Sequence, residues 1–130
     1  MDFTNKTVLV TGGSRGIGKA IAIAFANKGA RVAILYRANK QAAEATLAEL
    51  PDDGHITLQA DVADAQQVKS AVEKVVAEYG RLDIVVNNAG IGIYHPIEST
   101  NYQDWQTAWQ QTLDTNLLGP ANVCFCAAKI

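Results

Sequence analysis

Four short apolar runs, each followed by a stretch with helical spacing, constrain this chain more than any other feature. Thr7-Val8-Leu9-Val10 runs into Thr11-Gly12-Gly13 and reads as a buried strand. From Gly16 the period changes. Ile17, Ala20, Ile21, Ala24 and Phe25 fall at helical spacing and predict one apolar helix face, stopped at Gly29. Arg31 to Tyr36 predicts a second strand, and Ala43, Leu47 and Leu50 mark a second helix ended by Pro51-Asp52-Asp53-Gly54. His55 to Ala60 predicts a third strand; Val68, Val72, Val75, Val76 and Tyr79 stripe a third helix that Gly80 stops. Leu82 to Asn87 predicts the fourth strand, and a loop from Gly90 to Asn101 leads to a helix carrying Trp105, Trp109, Leu113 and Leu117. Strands this continuously apolar are buried on both sides. The order βαβαβαβα therefore predicts an α/β fold, a doubly wound parallel sheet in three layers (α/β/α), as one domain over residues 1–130.

Composition removes several function classes. A formal net charge of −2 offers no basic footprint for nucleic acid and no acidic tail. No apolar run approaches the roughly 18 residues that a membrane helix needs. Met1-Asp2-Phe3-Thr4-Asn5 is not a secretory signal. Two cysteines, Cys124 and Cys126, form no disulfide framework; both read as small buried helix residues, and a reducing, cytoplasmic setting is expected. His55 and His95 have no second ligand at metal spacing, so no metal site is expected, and His95 reads as a plain loop residue.

The turn after the first strand, Thr11-Gly12-Gly13-Ser14-Arg15-Gly16-Ile17-Gly18, points to a ligand. Glycines there permit a tight turn and let backbone approach a pyrophosphate, while the N–H groups of the following helix attract the anion. The spacing is Gly-x3-Gly-x-Gly rather than Gly-x-Gly-x-x-Gly, so the strand–turn–helix context carries the reading. Gly13 to Lys19 also satisfies the start of a P-loop. Ala20 stands where that motif needs a magnesium-binding hydroxyl, and Asp83 lies at the wrong end of its strand, so a nucleoside triphosphatase is rejected.

Thr11-Gly12-x3-Gly16-x-Gly18, joined to Asn87-Asn88-Ala89-Gly90 after the fourth strand, resembles the short-chain dehydrogenase/reductase family, in the N-terminal half of its pattern. Asp61-Val62 after the third strand and Asn116 in the last helix add two matches. The resemblance implies a Rossmann-type domain and roles for these positions. Gly12, Ser14, Arg15, Gly16, Ile17 and Gly18 would wrap the cofactor's phosphates and adenosine ribose. Asp61 and Val62 would border adenine, and Asn88, Ala89 and Gly90 would line the nicotinamide ribose side. Asn116 would help to hold a proton-relay water. Pro120 supplies an independent reason, since it has no N–H to give the Asn116 carbonyl and the helix should bend there.

An acidic residue at the end of the second strand selects NAD, whereas an arginine accommodates a 2′-phosphate. Tyr36 and Arg37 stand there, and Arg15 approaches from the glycine turn, so NADP(H) is favoured over NAD(H). The family resemblance implies an oxidoreductase that moves a hydride between nicotinamide and a small-molecule carbonyl or secondary alcohol, working as a homodimer or homotetramer. Trp109, seven residues before Asn116, matches the family's helix tryptophan, and Tyr102-Gln103-Asp104-Trp105 is expected to cap that helix rather than shape substrate entry.

The family's catalytic Ser and Tyr-x3-Lys would follow a fifth strand, and the family's fold uses a chain about twice this long. Tyr36-Arg37-Ala38-Asn39-Lys40 has the right spacing but lies on the adenosine side and is rejected as the catalytic pair. The expectation is a shortened chain, ending inside a helix, with its fourth strand at a sheet edge, that binds NADP weakly and lacks reductase activity alone. The alternatives are a nucleotide-binding sensor without turnover and an inactive fragment.

Overall fold

The computed structural model describes residues 1–130. Four parallel strands, β1 (Thr7–Thr11), β2 (Arg31–Tyr36), β3 (Ile56–Gln59) and β4 (Ile84–Val86), form one sheet in the order β3-β2-β1-β4. The chain moves outward from β1 to β3, then crosses back to place β4 on the other side of β1. The rim between β1 and β4 is therefore the point where the winding reverses, the usual location of a ligand crevice in open α/β sheets.

The helices are α1 (Gly16–Ala26), α2 (Lys40–Glu49), α3 (Ala65–Tyr79), α4 (Tyr102–Leu113) and α5 (Gly119–Ala128), with a π turn at Asp114–Leu118 between the last two. Alternation along β1 and β2 divides the core. Val8, Val10, Val32 and Ile34 pack with Ala22 and Ala26 of α1 and with Leu50 after α2, whereas Leu9, Ala33 and Leu35 pack with Val68, Val72 and Val75 of α3 and Val123 of α5. All seven strand residues are buried, which is why both strands read as unbroken apolar runs.

Two helix faces differ from the sequence expectation. In α1 the stripe turned to the sheet is Gly18, Ala22 and Ala26, while Ile17 is 75% exposed and Ala20 and Ala24 also face outward. Small residues at i, i+4 and i+8 let the helix lie close to β1 and β2, and closeness decides the face ahead of side-chain size. Cys124 is exposed and Cys126 only half-buried, because Val123 is the α5 residue turned into the core.

Two strands are shorter than their apolar runs. At the start of β3 the His55 ring takes the place of backbone: Nδ1 accepts from Val32 N–H at 3.0 Å and Nε2 lies 2.8 Å from Pro51 O. Below β4, Asp83 Oδ2 accepts from Thr7 N–H at 2.9 Å, and Arg81 and Lys6 pair with the same carboxylate. That carboxylate therefore belongs to the end of the sheet opposite the crevice.

The last helix is broken where Pro120 interrupts the ladder. The chain widens into the π turn, and Gly119 N–H donates to Asp114 O five residues back. Tyr102-Gln103-Asp104-Trp105 is the first turn of α4 and not its cap. Asn101 is the cap: its Oδ1 accepts from Asp104 N–H at 2.8 Å. Trp105 instead stacks along the helix surface between Tyr102 and Trp109. No helix is long and apolar enough to cross a membrane.

Candidate cofactor-binding site

A cleft of about 510 Å³ opens on the carboxyl rim of the sheet at the reversal point. Three sequence segments wall it. The glycine turn supplies Gly12, Ser14, Arg15, Gly16 and Ile17; the end of β2 supplies Leu35 and Tyr36, followed by Arg37, Ala38 and Asn39; and the β3 and β4 exits supply Ala60, Asp61, Val62, Asn88, Ala89, Gly90 and Ile91, with Thr115 of the π turn beside them. Of the residues expected from the sequence to hold the cofactor or the relay water, Gly18 and Asn116 stand outside this lining.

Gly18 lies behind the turn and governs its shape. A Cβ there would sit 2.2 Å from Gly12 O and 2.4 Å from Asn88 Nδ2, so the first turn of α1 touches the backbone of the glycine turn. Gly12 has φ +64° and Gly16 φ +54°, the left-handed region that glycine enters without strain. The result is a bare backbone ledge leading into α1.

That ledge is held from the β4 side. Thr11 Oγ1 accepts from the N–H groups of Asn88 and Ala89, both at 3.0 Å, and Asn88 Nδ2 donates to Thr11 O at 3.0 Å and Gly12 O at 3.1 Å. The Asn88 side chain thus ties two strand ends together, leaving its backbone and Ala89 on the cleft wall. On the third wall, Asp61 Oδ1 accepts from Ala63 N–H, and Asp61 N–H donates to Gln67 Oε1 at 2.9 Å. Asn122 Nδ2 donates to Val62 O at 3.1 Å, and a Cβ on Gly119 would come within 2.7 Å of Val62 Cγ2, so α5 presses on this segment.

Asn116 is joined to the cleft through Ile91. Its Oδ1 accepts from Ile91 N–H and its Nδ2 donates to Ile91 O, each at 2.8 Å. The side chain closes a ring on the backbone after Gly90. His95 lies in the same loop, its Nδ1 2.6 Å from Ile93 O and its ring against Trp109.

Electrostatically, α1 differs from its neighbours. Asn39, Asp64 and Asn101 cap α2, α3 and α4 with side-chain oxygens, and the Asp64 carboxyl is held below the usual range chiefly by Gln67 N–H. The start of α1 has no side-chain cap and no acidic residue in its first turn. Its N–H groups and the positive end of its dipole face the cleft, which suits an anion. Arg15 and Arg37 line the same space, and no carboxylate stands at the end of β2. The residues present therefore fit a dinucleotide: a bare ledge for a diphosphate, and two guanidinium groups for further phosphate.

Several supporting residues were not singled out from the sequence. Asn39 carried a legible signal, a cap residue before a helical stretch. Gln67 and Asn122 carried none, because they lie outside the motifs and only the folded chain brings them onto Asp61 and Val62.

The pattern of short chain dehydrogenases matches residues 6–130. The chain belongs to that family. It is 44% identical over 126 residues to a D-threitol dehydrogenase of Mycolicibacterium smegmatis, covering 95% of this chain and 46% of that relative. It is 42% identical over 119 residues to a 3-oxoacyl-acyl-carrier-protein reductase of Staphylococcus aureus, covering 90% of this chain and 47% of that one. A short chain dehydrogenase of Burkholderia cenocepacia, solved in complex with NADP, superposes with a TM-score of 0.87 at 39% identity over 99% of this chain and 52% of that chain. A dehydrogenase/reductase of Sinorhizobium meliloti gives a TM-score of 0.88 at 35% identity, over 98% of this chain and 50% of that one. The chain spans about half the length of the relatives it matches. These likenesses establish the Rossmann-like parallel sheet and the family.

Proposed function

We propose that this chain is the cofactor-binding half of an NADP(H)-dependent oxidoreductase that interconverts a small-molecule carbonyl and a secondary alcohol. One observation carries the reading: the uncapped start of α1 opens onto a cleft at the sheet reversal that Arg15 and Arg37 both line. When bound, the nicotinamide supplies or accepts the hydride. The chain's own residues bind and orient. Gly12, Ser14, Gly16 and Ile17 present the ledge to the diphosphate, with Gly18 behind it. Arg15 and Arg37, beside Tyr36, meet a ribose 2′-phosphate. Asp61 and Val62 border the adenine, and Asn88, Ala89 and Gly90 line the nicotinamide ribose side. Asn116, through its place in the π turn, helps to hold a water on the proton path.

The preference for NADP(H) has an electrostatic basis. A charge-assisted hydrogen bond contributes about 1.5–3 kcal/mol, and two guanidinium groups would bring several to one phosphate. The Burkholderia relative's complex with NADP supports the same choice. Self-association is part of the reading: Trp109, Leu113, Leu117, Leu118 and Phe125 are exposed apolar side chains from α4 through the π turn to α5. A nucleotide sensor without turnover is the second reading, since every residue assigned above except Asn116 serves binding.

The experiment is a comparison of NADPH and NADH binding to the whole protein by calorimetry, followed by carbonyl-dependent NADPH oxidation. Tighter NADPH binding with turnover supports the oxidoreductase. Tight binding without turnover on any carbonyl favours the sensor. Absence of dinucleotide binding overturns both.

A further inference from the structure

Thr46 is 1% exposed in the second turn of α2, far from any motif, and its hydroxyl makes an unusual choice of partner. A helical threonine ordinarily gives its hydroxyl hydrogen to the carbonyl one turn back. Thr107 and Thr112 of α4 do so, donating to Gln103 O and Ala108 O. Thr46 Oγ1 instead donates across to Ser14 O at 2.9 Å, thirty-two residues upstream. The acceptor is the peptide immediately before Arg15. The donor's helix is capped by Asn39, two residues after Arg37. One buried hydroxyl therefore ties together the two segments on which the two guanidinium groups stand.

We propose that Thr46 is a positioning residue for the cofactor cleft: through the Ser14 carbonyl it sets the spacing between the glycine turn and the β2–α2 connection, and so the discrimination between NADP and NAD. This rests on the dinucleotide reading above. A diphosphate touches only the glycine ledge, so its binding tolerates a small drift of α2. A 2′-phosphate shared by Arg15 and Arg37 needs both walls at one separation, and drift releases one of the two contacts. Loss of the hydroxyl should therefore weaken NADP more than NAD. A second tie, Lys19 Nζ to Glu49 Oε1 at 2.7 Å, joins α1 to α2, but both side chains reach solvent, and such pairs contribute little. The buried bond carries the spacing.

The test measures dissociation constants for NADPH and NADH on the whole protein as wild type, Thr46→Val, Thr46→Ser and Glu49→Gln. Thr46→Val keeps the shape and removes the donor; it should weaken NADPH about fivefold more than NADH, the scale of one hydrogen bond. Thr46→Ser should restore the wild-type ratio, and Glu49→Gln should leave it unchanged. Thr46→Ala replaces Thr46→Val if the latter does not fold, since the smaller side chain cannot clash. Equal weakening of both dinucleotides, or an unchanged ratio in both hydroxyl-free variants, overturns the proposal while leaving the dinucleotide reading intact. A wild type that binds neither dinucleotide, or prefers NADH, fails the cofactor reading itself and takes the proposal with it.

Discussion

Replacing Gly18 by alanine sets two effects of opposite sign against each other. In a helix interior alanine is more favourable than glycine by about 0.8–1.0 kcal/mol, so propensity alone predicts a more stable protein. The added methyl, however, would lie 2.2 Å from Gly12 O, 2.4 Å from Asn88 Nδ2 and 2.9 Å from Gly12 C. The Asn88 amide is the end of a side chain and could swing away, though only by breaking its bonds to Thr11 O and Gly12 O. The Gly12 carbonyl is backbone, fixed by the Gly12 N–H bond to Leu35 O at 2.9 Å, and cannot retreat without moving the turn. Overpacking of this kind typically costs about 1–3 kcal/mol, and the lost hydrogen bonds add about 1 kcal/mol. The net expectation is a destabilisation of about 1–3 kcal/mol, together with weaker binding of any ligand seated on the ledge. Urea denaturation of wild type and Gly18→Ala measures the first, and Gly92→Ala is the control, since nothing lies within 4 Å of a Cβ at Gly92. A Gly18→Ala protein as stable as wild type, or more so, would refute the close-contact argument.

Other perturbations follow from the same geometry. Arg37→Asp should shift cofactor preference towards NAD by removing one phosphate contact and adding a repelling charge; unchanged NADPH/NADH affinity ratios would count against that assignment. Asn116→Leu removes both bonds to Ile91 and should cost about 1–2 kcal/mol; the check is faster hydrogen exchange at the Ile91 amide. The Asp83 carboxyl is held below 3.8 by Arg81 and then by Thr7 N–H, so its stabilisation is complete above that value and fades as pH falls through the depressed one. The stability gap between wild type and Asp83→Asn should accordingly be widest near neutrality and close in acid, which denaturation at several pH values would read.

Much of this molecule is legible where the physics is local. The run from Arg31 to Tyr36 predicts β2 with its observed ends, because both faces of that strand are buried and every residue after the first is apolar or aromatic. The valine stripe of α3 predicts its buried face, and Gly80 at φ +74° ends that helix as expected. The glycine turn, Tyr36-Arg37, Asp61-Val62 and Asn88 to Gly90 converge on one cleft because each follows the carboxyl end of a parallel strand. Legibility fails where tertiary contact decides. Nothing local says that Gly18, Ala22 and Ala26 outrank Ile17 and Ala24, since that depends on how closely α1 must approach the sheet. His55 and Asp83 shorten their strands by putting side chains where ladder bonds would be. Pro120 signalled a disturbance at Asn116, but a missing N–H alone does not say whether the helix bends or, as here, widens into a π turn. Thr46 reads as an ordinary helix residue until its partner at Ser14 is seen.

Every role proposed above requires a dinucleotide diphosphate to rest on the backbone from Gly12 to Gly18. Titrating the isotopically labelled whole protein with NADP and following amide chemical shifts tests it most directly. The largest shifts should fall at the amides of Ser14, Arg15, Gly16 and Ile17, with smaller ones at Asp61, Val62 and Ala89. Saturable shifts confined to another surface, such as the groove between β3 and α3 beside Gln66 and Lys74, with the glycine-turn amides unmoved, would contradict it.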